Sequence, residues 1–377
     1  MGLNGNNSGA GDRKPVFFVG SDVYRQSAFG KHHPLSIIRV SGVVDMCHML
    51  DWFSDGQYRE SPRATDDDLR RFHHTDYIDA LKEADRKGSV EKAVRDRYRI
   101  GTMENPLFPG LFERASTAVG GSIHAAELAY SGGVVFHPSG GTHHGRPGRA
   151  SGFCYFNDPV FAILTFLEQG LERVLYVDLD AHHGDGVQDA FEEDSRVLTI
   201  SIHEEKRWPH SGLLDEQGLS ARNLPVPRGL NDAELDFLID KAVLPLARDF
   251  AAEALVITCG ADPLEGDPLS KLSLSNTGLW RAVEKLLEES DRSVVLGGGG
   301  YNPWTVIRCW SGLWGRLSGQ DIPATLPAPA QAFLSSLECD LIDDDEVPEN
   351  WLTALADEPN NGPVRPQIER LVELVLH

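Results

Sequence analysis

The stretch RVLYVDLDAHHGDG, residues 173–186, joins a short apolar run to a cluster of three Asp and two His residues. An unbroken apolar run is typical of a strand in a parallel sheet whose two faces are both covered. A similar run, RVLTISIH at 196–203, follows after a segment long enough for one short helix. The two runs predict a β-α-β unit and, with it, an α/β fold.

The same alternation extends outward from this unit. Further strands are predicted at the apolar runs 15–20, 132–138, 254–260 and 293–300. Segments with helical spacing separate these runs from about residue 110 onward, and the chain before residue 110 is predicted to be mostly helical. We predict one large domain over residues 15–320, with a mostly parallel central sheet flanked by helices.

The two ends of the chain differ from this pattern. Residues 1–14 are rich in Gly and Asn and have no apolar targeting segment, which predicts a disordered tail. Residues 321–377 contain Pro-rich and acidic stretches followed by the helical pattern PQIERLVELVLH. We expect this C-terminal extension to pack on the domain or to trail from it.

Charge and composition narrow the classes of function. The chain carries 57 acidic and 35 basic residues, a formal net charge of −22, which argues against nucleic acid or a membrane as a partner. No stretch approaches the roughly 18 apolar residues of a membrane span. The five cysteines are scattered without C-x-x-C spacing, so we expect a reduced, cytoplasmic protein. Nothing in the composition predicts an oligomeric state.

Polar or Gly-rich segments follow the predicted strands. They are SGGTHHG (139–145), DLDAHHGDG (178–186), SIHEEKRWPH (201–210), CGADPLEGDP (259–268) and GGGGYNPW (297–304). Because ligands of parallel sheets bind outside the carboxyl ends of the strands, these segments are expected to form one rim and to carry the function.

The segment DLDAHHGDG has the residue types of a metal site. Asp178, Asp180 and His182 are two residues apart and share one side of an extended chain. Asp180 and His182 are candidate ligands of a divalent cation, and Asp262, after another apolar run, is a candidate third. In the alternative interpretation the carboxylates cap the next helix. So many unpaired charges at buried strand ends favour the metal site.

The segment GGTHHG supplies a pair of imidazoles at another strand end. Imidazole titrates near neutral pH, so His143 and His144 are suited to move protons to and from a metal-activated water and a leaving amine. Asp178 and Asp185 are candidates for the carboxylates that orient the two rings. A structural pair bonded to backbone carbonyls is the alternative interpretation.

The segment GGGGY lacks the Lys-Ser/Thr ending of a phosphate loop. Tyr301 at its end is instead a candidate donor to a developing oxyanion. Phe153 and Trp208 lie beside the polar segments, either as core residues or as the walls of a narrow slot for an alkyl chain. Together these parts are those of an amide hydrolase for a thin, extended substrate.

The chain resembles the histone deacetylase superfamily in the order and approximate spacing of five motifs. These motifs are SGGTHH, RASGFCYFND, DLDAHHGDG, CGADPLEGDPL and GGGGY. These are zinc-dependent deacetylases of the arginase-deacetylase fold, and the resemblance covers residues 16–318. The GRPGRASGFCYFND segment is most similar to the bacterial acetoin-utilisation type, which itself resembles class I histone deacetylases.

The resemblance implies a role for each candidate residue. Asp180, His182 and Asp262 match the zinc ligands, with iron as the alternative metal. His144 matches the general base, His143 an electrostatic or acid partner, and Tyr301 the transition-state tyrosine. Asp178 and Asp185 match the carboxylates that support His143 and His144. The resemblance also implies a structural potassium ion, held by Asp178 and Ser201 and by backbone oxygens of Asp180, His182 and Ile202.

The resemblance favours acetyl-lysine in a protein or peptide as the substrate. Gly152 and Phe153 match the tunnel wall, and Trp208 stands where a second aromatic is common. Glu104 matches an acidic rim residue that holds the substrate backbone. Leu269 stands where acetylpolyamine deacetylases carry an acidic residue. Acetylpolyamines or other small acylamines are the alternative substrates, and a non-catalytic acyl-lysine binder is disfavoured because every catalytic position is present.

Three departures from the family pattern leave the substrate preference open. The loop 203–212 is short and has His210 where Gly is frequent. Pro263 replaces a small hydroxyl residue after the candidate ligand Asp262, and Glu265 adds a charge nearby.

Overall fold

The computed structural model describes residues 14–26, 29–30, 33–343 and 347–376. Apart from Lys14, the predicted tail at 1–14 lies outside these residues. The strands, in chain order, are β1 (Val16–Gly20), β2 (Tyr58–Glu60), β3 (Gly133–His137), β4 (Val174–Asp178), β5 (Val197–Glu204), β6 (Ala221–Val226), β7 (Ala254–Thr258) and β8 (Arg292–Leu296).

Helices precede the sheet strands, connect them and follow them. In chain order they are α1 (Val40–Met49), α2 (Asp66–Leu69), α3 (Thr75–Lys87), α4 (Lys92–Tyr98), α5 (Leu111–Tyr130), α6 (Asp158–Glu168), α7 (Asp185–Phe191), α8 (Asp232–Leu238), α9 (Leu244–Phe250), α10 (Asn276–Leu287), α11 (Pro303–Ser318), α12 (Ala328–Ser335), α13 (Glu349–Thr353) and α14 (Pro366–Leu376). A π-helical turn at Ile239–Val243 joins α8 to α9, so the helical stretch over 232–250 is continuous but not uniform.

The strands form one sheet in the order β2-β1-β3-β8-β7-β4-β5-β6. Every strand pair among the described residues is parallel, which confirms the predicted α/β fold and sharpens "mostly parallel" to fully parallel. The sequence did not predict β2 or β6. β2 has only three residues, and β6 carries Pro225, which lacks the backbone N–H donor and is tolerated because β6 is an edge strand.

Alternate residues of β4 enter different parts of the core. Leu175 and Val177 belong to a cluster shared with α1, α10 and α11, whereas Val174 and Tyr176 belong to a cluster shared with α5 and α6. This is the period-two alternation of a strand covered by helices on both faces. The run at 174–177 is therefore apolar throughout because neither face meets water.

The C-terminal helices pack against the same core. Leu334, Leu355 and Ile368 are buried in the cluster that contains α11. Within α11, the fully buried Arg308 donates to the carbonyl of Ala354 at 2.7 Å and to the carboxylate of Asp357 at 2.6 Å. Among the described residues, no helix is long and apolar enough to cross a membrane.

Candidate active site

Five neighbouring strands, β3, β8, β7, β4 and β5, end at the rim where the polar segments lie. Two of these segments, DLDAHHGDG and CGADPLEGDP, bring Asp180, His182 and Asp262 together. Their candidate ligand atoms all lie within 4.8 Å of one another, and all three residues are buried. His182 Nδ1 lies 2.8 Å from Asp262 Oδ2 and 3.2 Å from Asp180 Oδ1. Two carboxylates and one imidazole are a suitable donor set for a divalent cation.

Backbone amides hold the two carboxylates in place. Asp180 accepts from the amides of His182 at 2.9 Å and Gly299 at 2.5 Å, and Asp262 accepts from the amide of Ala181 at 3.0 Å. A Cβ at Gly299 would lie 2.1 Å from Asp262 Oδ2. Position 299, in the Gly-rich segment after β8, therefore requires glycine, because the backbone there lies against the metal site.

The paired histidines each have their own carboxylate. His143 Nδ1 lies 2.7 Å from Asp178 Oδ2, and His144 Nδ1 lies 2.8 Å from Asp185 Oδ1, as the sequence predicted. Burial by itself lowers the pKa of His143, but Asp178 and the nearby Asp180 outweigh it and raise the pKa to about 9. Burial and the charge of His143 lower the pKa of His144 to about 3. The pKa values of the two neighbouring imidazoles are therefore shifted in opposite directions.

Arg146 is a functional neighbour that the sequence reasoning missed. Its guanidinium pairs with the second carboxylate oxygen of Asp185 and also with Asp189. Burial opposes ionisation of Asp185, but the hydrogen bond to His144, reinforced by the charge of Arg146, brings its pKa down to about 2. The Asp185 carboxylate is therefore shared between a ring and a cation. A basic residue two positions after the His pair was the available signal.

Tyr301 is buried beside the candidate metal ligands. Its ring centroid lies 6.4 Å from that of His182 and 5.9 Å from that of Phe153. Burial, reinforced by the charges of Asp262 and Asp180, holds its pKa well above the ordinary value. The phenol therefore keeps its proton and is available as a hydrogen-bond donor.

Asp267 links Tyr301 to the rim of the site. This buried carboxylate accepts from the amide of Tyr301 at 2.7 Å and from the amide of Leu269 at 2.8 Å. From the C-terminal extension, Cys339 Sγ contacts the Tyr301 carbonyl at 3.8 Å. Asp267 falls within the segment CGADPLEGDP, but the sequence predicts no role for it because its partner Tyr301 lies 34 residues away.

Aromatic residues form a narrow mouth above the metal site. Trp208 packs edge-on against His144, with ring centroids 4.6 Å apart. Gly152 has φ +53°, and a Cβ there would lie 2.3 Å from the Trp208 ring. The predicted tunnel residues Gly152, Phe153 and Trp208 thus lie together, with Leu269 and Glu104, around one opening. Glu104 accepts from the Gly152 amide at 2.9 Å and so also supports the wall.

The predicted second-cation residues lie beneath the rim. Asp178 and Ser201 are cross-strand partners in the β4–β5 register, and Ile202 is buried next to them. The Asp178 carboxylate accepts from the Tyr176 hydroxyl at 2.6 Å, and Ser201 Oγ lies 2.9 Å from His203 Nδ1. The strand register, and not these hydrogen bonds, places Asp178 beside Ser201.

His183, to which the sequence assigned no task, makes only structural contacts among the described residues. Its Nδ1 bonds to Ser211 and its Nε2 to Gln188. His210 has φ +66°, which explains why Gly is frequent there.

A second cavity of about 220 Å³ lies beneath the His pair and Tyr301. Its lining includes Arg39 and Arg114, neither of which was singled out from the sequence. A third arginine in the lining, Arg25, is paired with Asp22 and Asp45. Arg39 donates to the carbonyl of Gly298 and lies over the Trp310 ring at 5.1 Å. An Arg inside the apolar segment IIRVSGVV was the signal available for Arg39.

Comparison with known proteins matches residues 33–317 to the histone deacetylase domain. The chain is 33% identical over 326 residues to the acetoin utilization protein AcuC of Bacillus subtilis, covering 82% of this chain and 84% of that protein. It is 32% identical over 328 residues to the histone deacetylase clr6 of Schizosaccharomyces pombe, covering 85% of this chain and 80% of that protein.

Solved structures show the same likeness in three dimensions. The structure of an HDAC homolog from Aquifex aeolicus superimposes with a TM-score of 0.91 and 37% identity, covering 96% of this chain and 99% of that one. An HDAC homolog complexed with SAHA superimposes with a TM-score of 0.91 and 36% identity, with the same coverage.

Proposed function

Because the chain belongs to the histone deacetylase family, a metal-dependent family of amide hydrolases, and is of the bacterial AcuC-like type, we propose that it removes acetyl groups from N-ε-acetyl-lysine in proteins or peptides. The observation that carries this proposal is the placement of three candidate metal ligands beside two buried His–carboxylate pairs and a buried Tyr. These are the parts that hydrolysis of an amide needs.

The donor set fits zinc, with Asp180, His182 and Asp262 as the residues that would hold it. When bound, zinc supplies a Lewis acid that polarises the acyl carbonyl and makes a water molecule more acidic. Three protein ligands leave a coordination position for the reactants, as catalytic zinc sites require. Iron has the same ligand preference at such a site and is the alternative metal.

The two histidines divide the proton transfers. His144 donates its Nδ1 proton to Asp185, which leaves Nε2 as the acceptor of a proton from the attacking water. His143 is held charged between Asp178 and Asp180, so it stabilises negative charge and supplies a proton to the departing lysine amine. The low pKa of His144 and the high pKa of His143 follow from the contacts described above.

Tyr301 completes the site by donating its phenol proton in a hydrogen bond to the oxyanion that forms from the acetyl carbonyl. Its raised pKa supports this role because a deprotonated phenol has no proton to donate. The mouth between Phe153 and Trp208 suits the thin alkyl chain of lysine. Leu269 presents an apolar side chain at this mouth, where an acidic residue would attract a polyamine.

For the second cation we propose potassium as a structural ion. Asp178 and Ser201 would supply side-chain oxygens, and Asp180, His182 and Ile202 would supply backbone oxygens. The closeness of Asp178 and Ser201 in the β4–β5 register supports this proposal.

The test compares kcat/KM on an acetyl-lysine peptide and on acetylputrescine, before and after chelation and after zinc is restored. We expect the peptide to be the better substrate, chelation to abolish activity and zinc to restore it. Asp180→Ala should abolish activity, and Tyr301→Phe should lower kcat by about 10²- to 10³-fold, the usual cost of one oxyanion donor. The exposed Asp96→Ala in α4 serves as the matched control.

Three outcomes would count against the proposal. Activity that survives complete metal removal, or that tolerates both Asp180→Ala and Tyr301→Phe, would refute the mechanism. A much higher efficiency on acetylputrescine would identify a small acylamine deacetylase instead. An equal loss in Asp96→Ala would show that the losses report on folding and not on chemistry.

A further inference from the structure

Two arginines that line the cavity beneath the His pair, Arg39 and Arg114, have guanidinium groups that are incompletely hydrogen-bonded. Among the described residues, neither Arg39 nor Arg114 forms a salt bridge with a carboxylate. Arg114 makes no hydrogen bond to any described residue, and its one directional contact is with the Tyr24 ring at 4.9 Å. Arg39 Nε and Arg114 Nη1 are shielded from solvent and have no hydrogen-bond partner. Such groups are costly unless something pairs with them.

The two guanidinium groups also repel each other. Burial lowers the pKa of Arg114, and the charge of Arg39 lowers it further. Both side chains stay charged at physiological pH because guanidinium is so strongly basic. Two like charges beside one cavity of about 220 Å³ make that cavity attractive to an anion.

The cavity is continuous with the reaction centre. His144, Gly152, Phe153 and Tyr301 line both this cavity and the substrate mouth. Gly298 connects Arg39 to the metal site, because its carbonyl accepts from Arg39 and a Cβ on it would lie 2.8 Å from Asp180 Oδ2. An acyl chain whose carbonyl carbon is at the reaction centre therefore has its far end directed toward the arginines.

Resting on the function proposed above, we propose that this cavity receives the distal carboxylate of a dicarboxylic acyl group, so that the enzyme also removes succinyl or glutaryl groups from lysine. In a succinyl group three carbon–carbon bonds, about 4 Å in extended form, separate the amide carbon from the carboxylate carbon. The cavity has the volume of about seven water molecules at roughly 30 Å³ each, which admits such a chain.

The reaction is the same hydrolysis with a different acyl group. The water oxygen bonds to the acyl carbon and the carbon–nitrogen bond breaks. The lysine nitrogen keeps the electron pair of that bond and takes up a proton. The products are the free lysine amine and the dicarboxylate, and nothing is oxidised or reduced.

The experiment uses the full-length, metal-loaded protein and three peptides that carry acetyl-, butyryl- or succinyl-lysine at the same position. Butyryl and succinyl chains have the same length and differ in the terminal carboxylate, so their ratio of kcat/KM isolates the charge. We expect succinyl to be cleaved at least tenfold more efficiently than butyryl, since hydrogen bonds to charged groups are strong.

Arg114→Met tests the assignment to the cavity. It should lower the succinyl-to-butyryl ratio by about tenfold to a hundredfold, the effect of losing one charged partner. Arg95→Met, on the exposed side of α4, is the matched control and should leave the ratio unchanged. If Arg114→Met does not fold, inhibition of the wild-type protein by free succinate and free butyrate replaces it, and we expect succinate to inhibit at least tenfold more strongly.

The outcomes separate this inference from the function on which it rests. If the acetyl peptide is cleaved but succinyl is cleaved no better than butyryl, the inference is wrong and the deacetylase stands. If none of the peptides is cleaved, the proposed function itself fails. An unchanged ratio in Arg114→Met, or equal inhibition by succinate and butyrate, would also overturn the inference.

Discussion

Asp267→Asn is the substitution whose effect on catalysis can be worked out most directly from the contacts. The Asp267 carboxylate accepts two amide protons, at 2.7 Å from Tyr301 and 2.8 Å from Leu269. Asn has one acceptor oxygen in place of two, and its NH₂ group would face an amide donor. One charge-assisted bond is therefore lost. We expect the lost hydrogen bond to affect Tyr301, because the position of its phenol depends on the position of its backbone.

A hydrogen bond to a charged group contributes about 1.5–3 kcal/mol. If that free energy is lost only in the transition state, kcat falls by about 10- to 150-fold and KM changes little. The assay is steady-state kinetics on the acetyl-lysine peptide, with zinc content and thermal unfolding measured for each variant. Glu265→Gln is the matched control, because Glu265 is exposed in the same loop.

The expected fall in kcat requires Asp267 to be ionised when the metal site is filled. Burial and the charge of Asp262 hold its pKa well above the ordinary value when no cation is bound. The geometry favours the ionised form because both oxygens accept amide protons and none is left for a carboxylic proton to face. A kcat within about twofold of wild type in Asp267→Asn would refute the positioning role.

Three further substitutions test other contacts. Asp185→Asn should lower kcat by about 10²- to 10⁴-fold, because the His144 tautomer loses its acceptor. Asp357→Ala should lower the free energy of unfolding by about 3 kcal/mol in urea, because it leaves the fully buried Arg308 unpaired. Burial lowers the pKa of His73 to about 3. The unfolded chain therefore binds more protons below pH 6.5, so stability falls toward pH 3 and the fall should be shallower in His73→Gln.

For each of these three substitutions, one result would contradict the prediction. Wild-type kcat in Asp185→Asn would remove the carboxylate from the mechanism. If Asp357→Ala lowers the free energy of unfolding no more than the exposed Asp22→Ala does, the Arg308–Asp357 ion pair contributes only as much as a surface pair. Equal stability slopes between pH 7 and pH 5 for wild type and His73→Gln would assign the acid sensitivity to other groups.

The sequence allowed the fold and most of the candidate site to be predicted because both depend on local patterns. The run at 174–178 is a strand covered on both faces, and the polar segments lie at strand ends, which is where parallel sheets place their ligands. The side chains predicted to cooperate, such as His144 and Asp185, are within bonding distance. Their assigned roles remain predictions.

What the sequence did not reveal depends on contacts between distant segments. Arg39 and Arg114 belong to different helical regions and meet only across a cavity. Arg146 could be linked to the site only through its contact with Asp185, which the sequence does not show. Likewise, β6 pairs with β5 although its Pro and Asn residues are unfavourable in strands. Such pairings are set by the packing of the whole sheet and leave no periodic pattern in one segment.

The strand order has a consequence for the order in which the molecule can become functional. β8, residues 292–296, is the last strand in the chain, yet it lies between β3 and β7 in the middle of the sheet. Before β8 emerges from the ribosome, a growing chain has two separate groups of strands, β2-β1-β3 on one side and β7-β4-β5-β6 on the other. The His pair follows the first group and the candidate metal ligands belong to the second. Insertion of one late strand therefore joins the proton-transfer residues to the metal site, and a chain that stops before it should remain inactive.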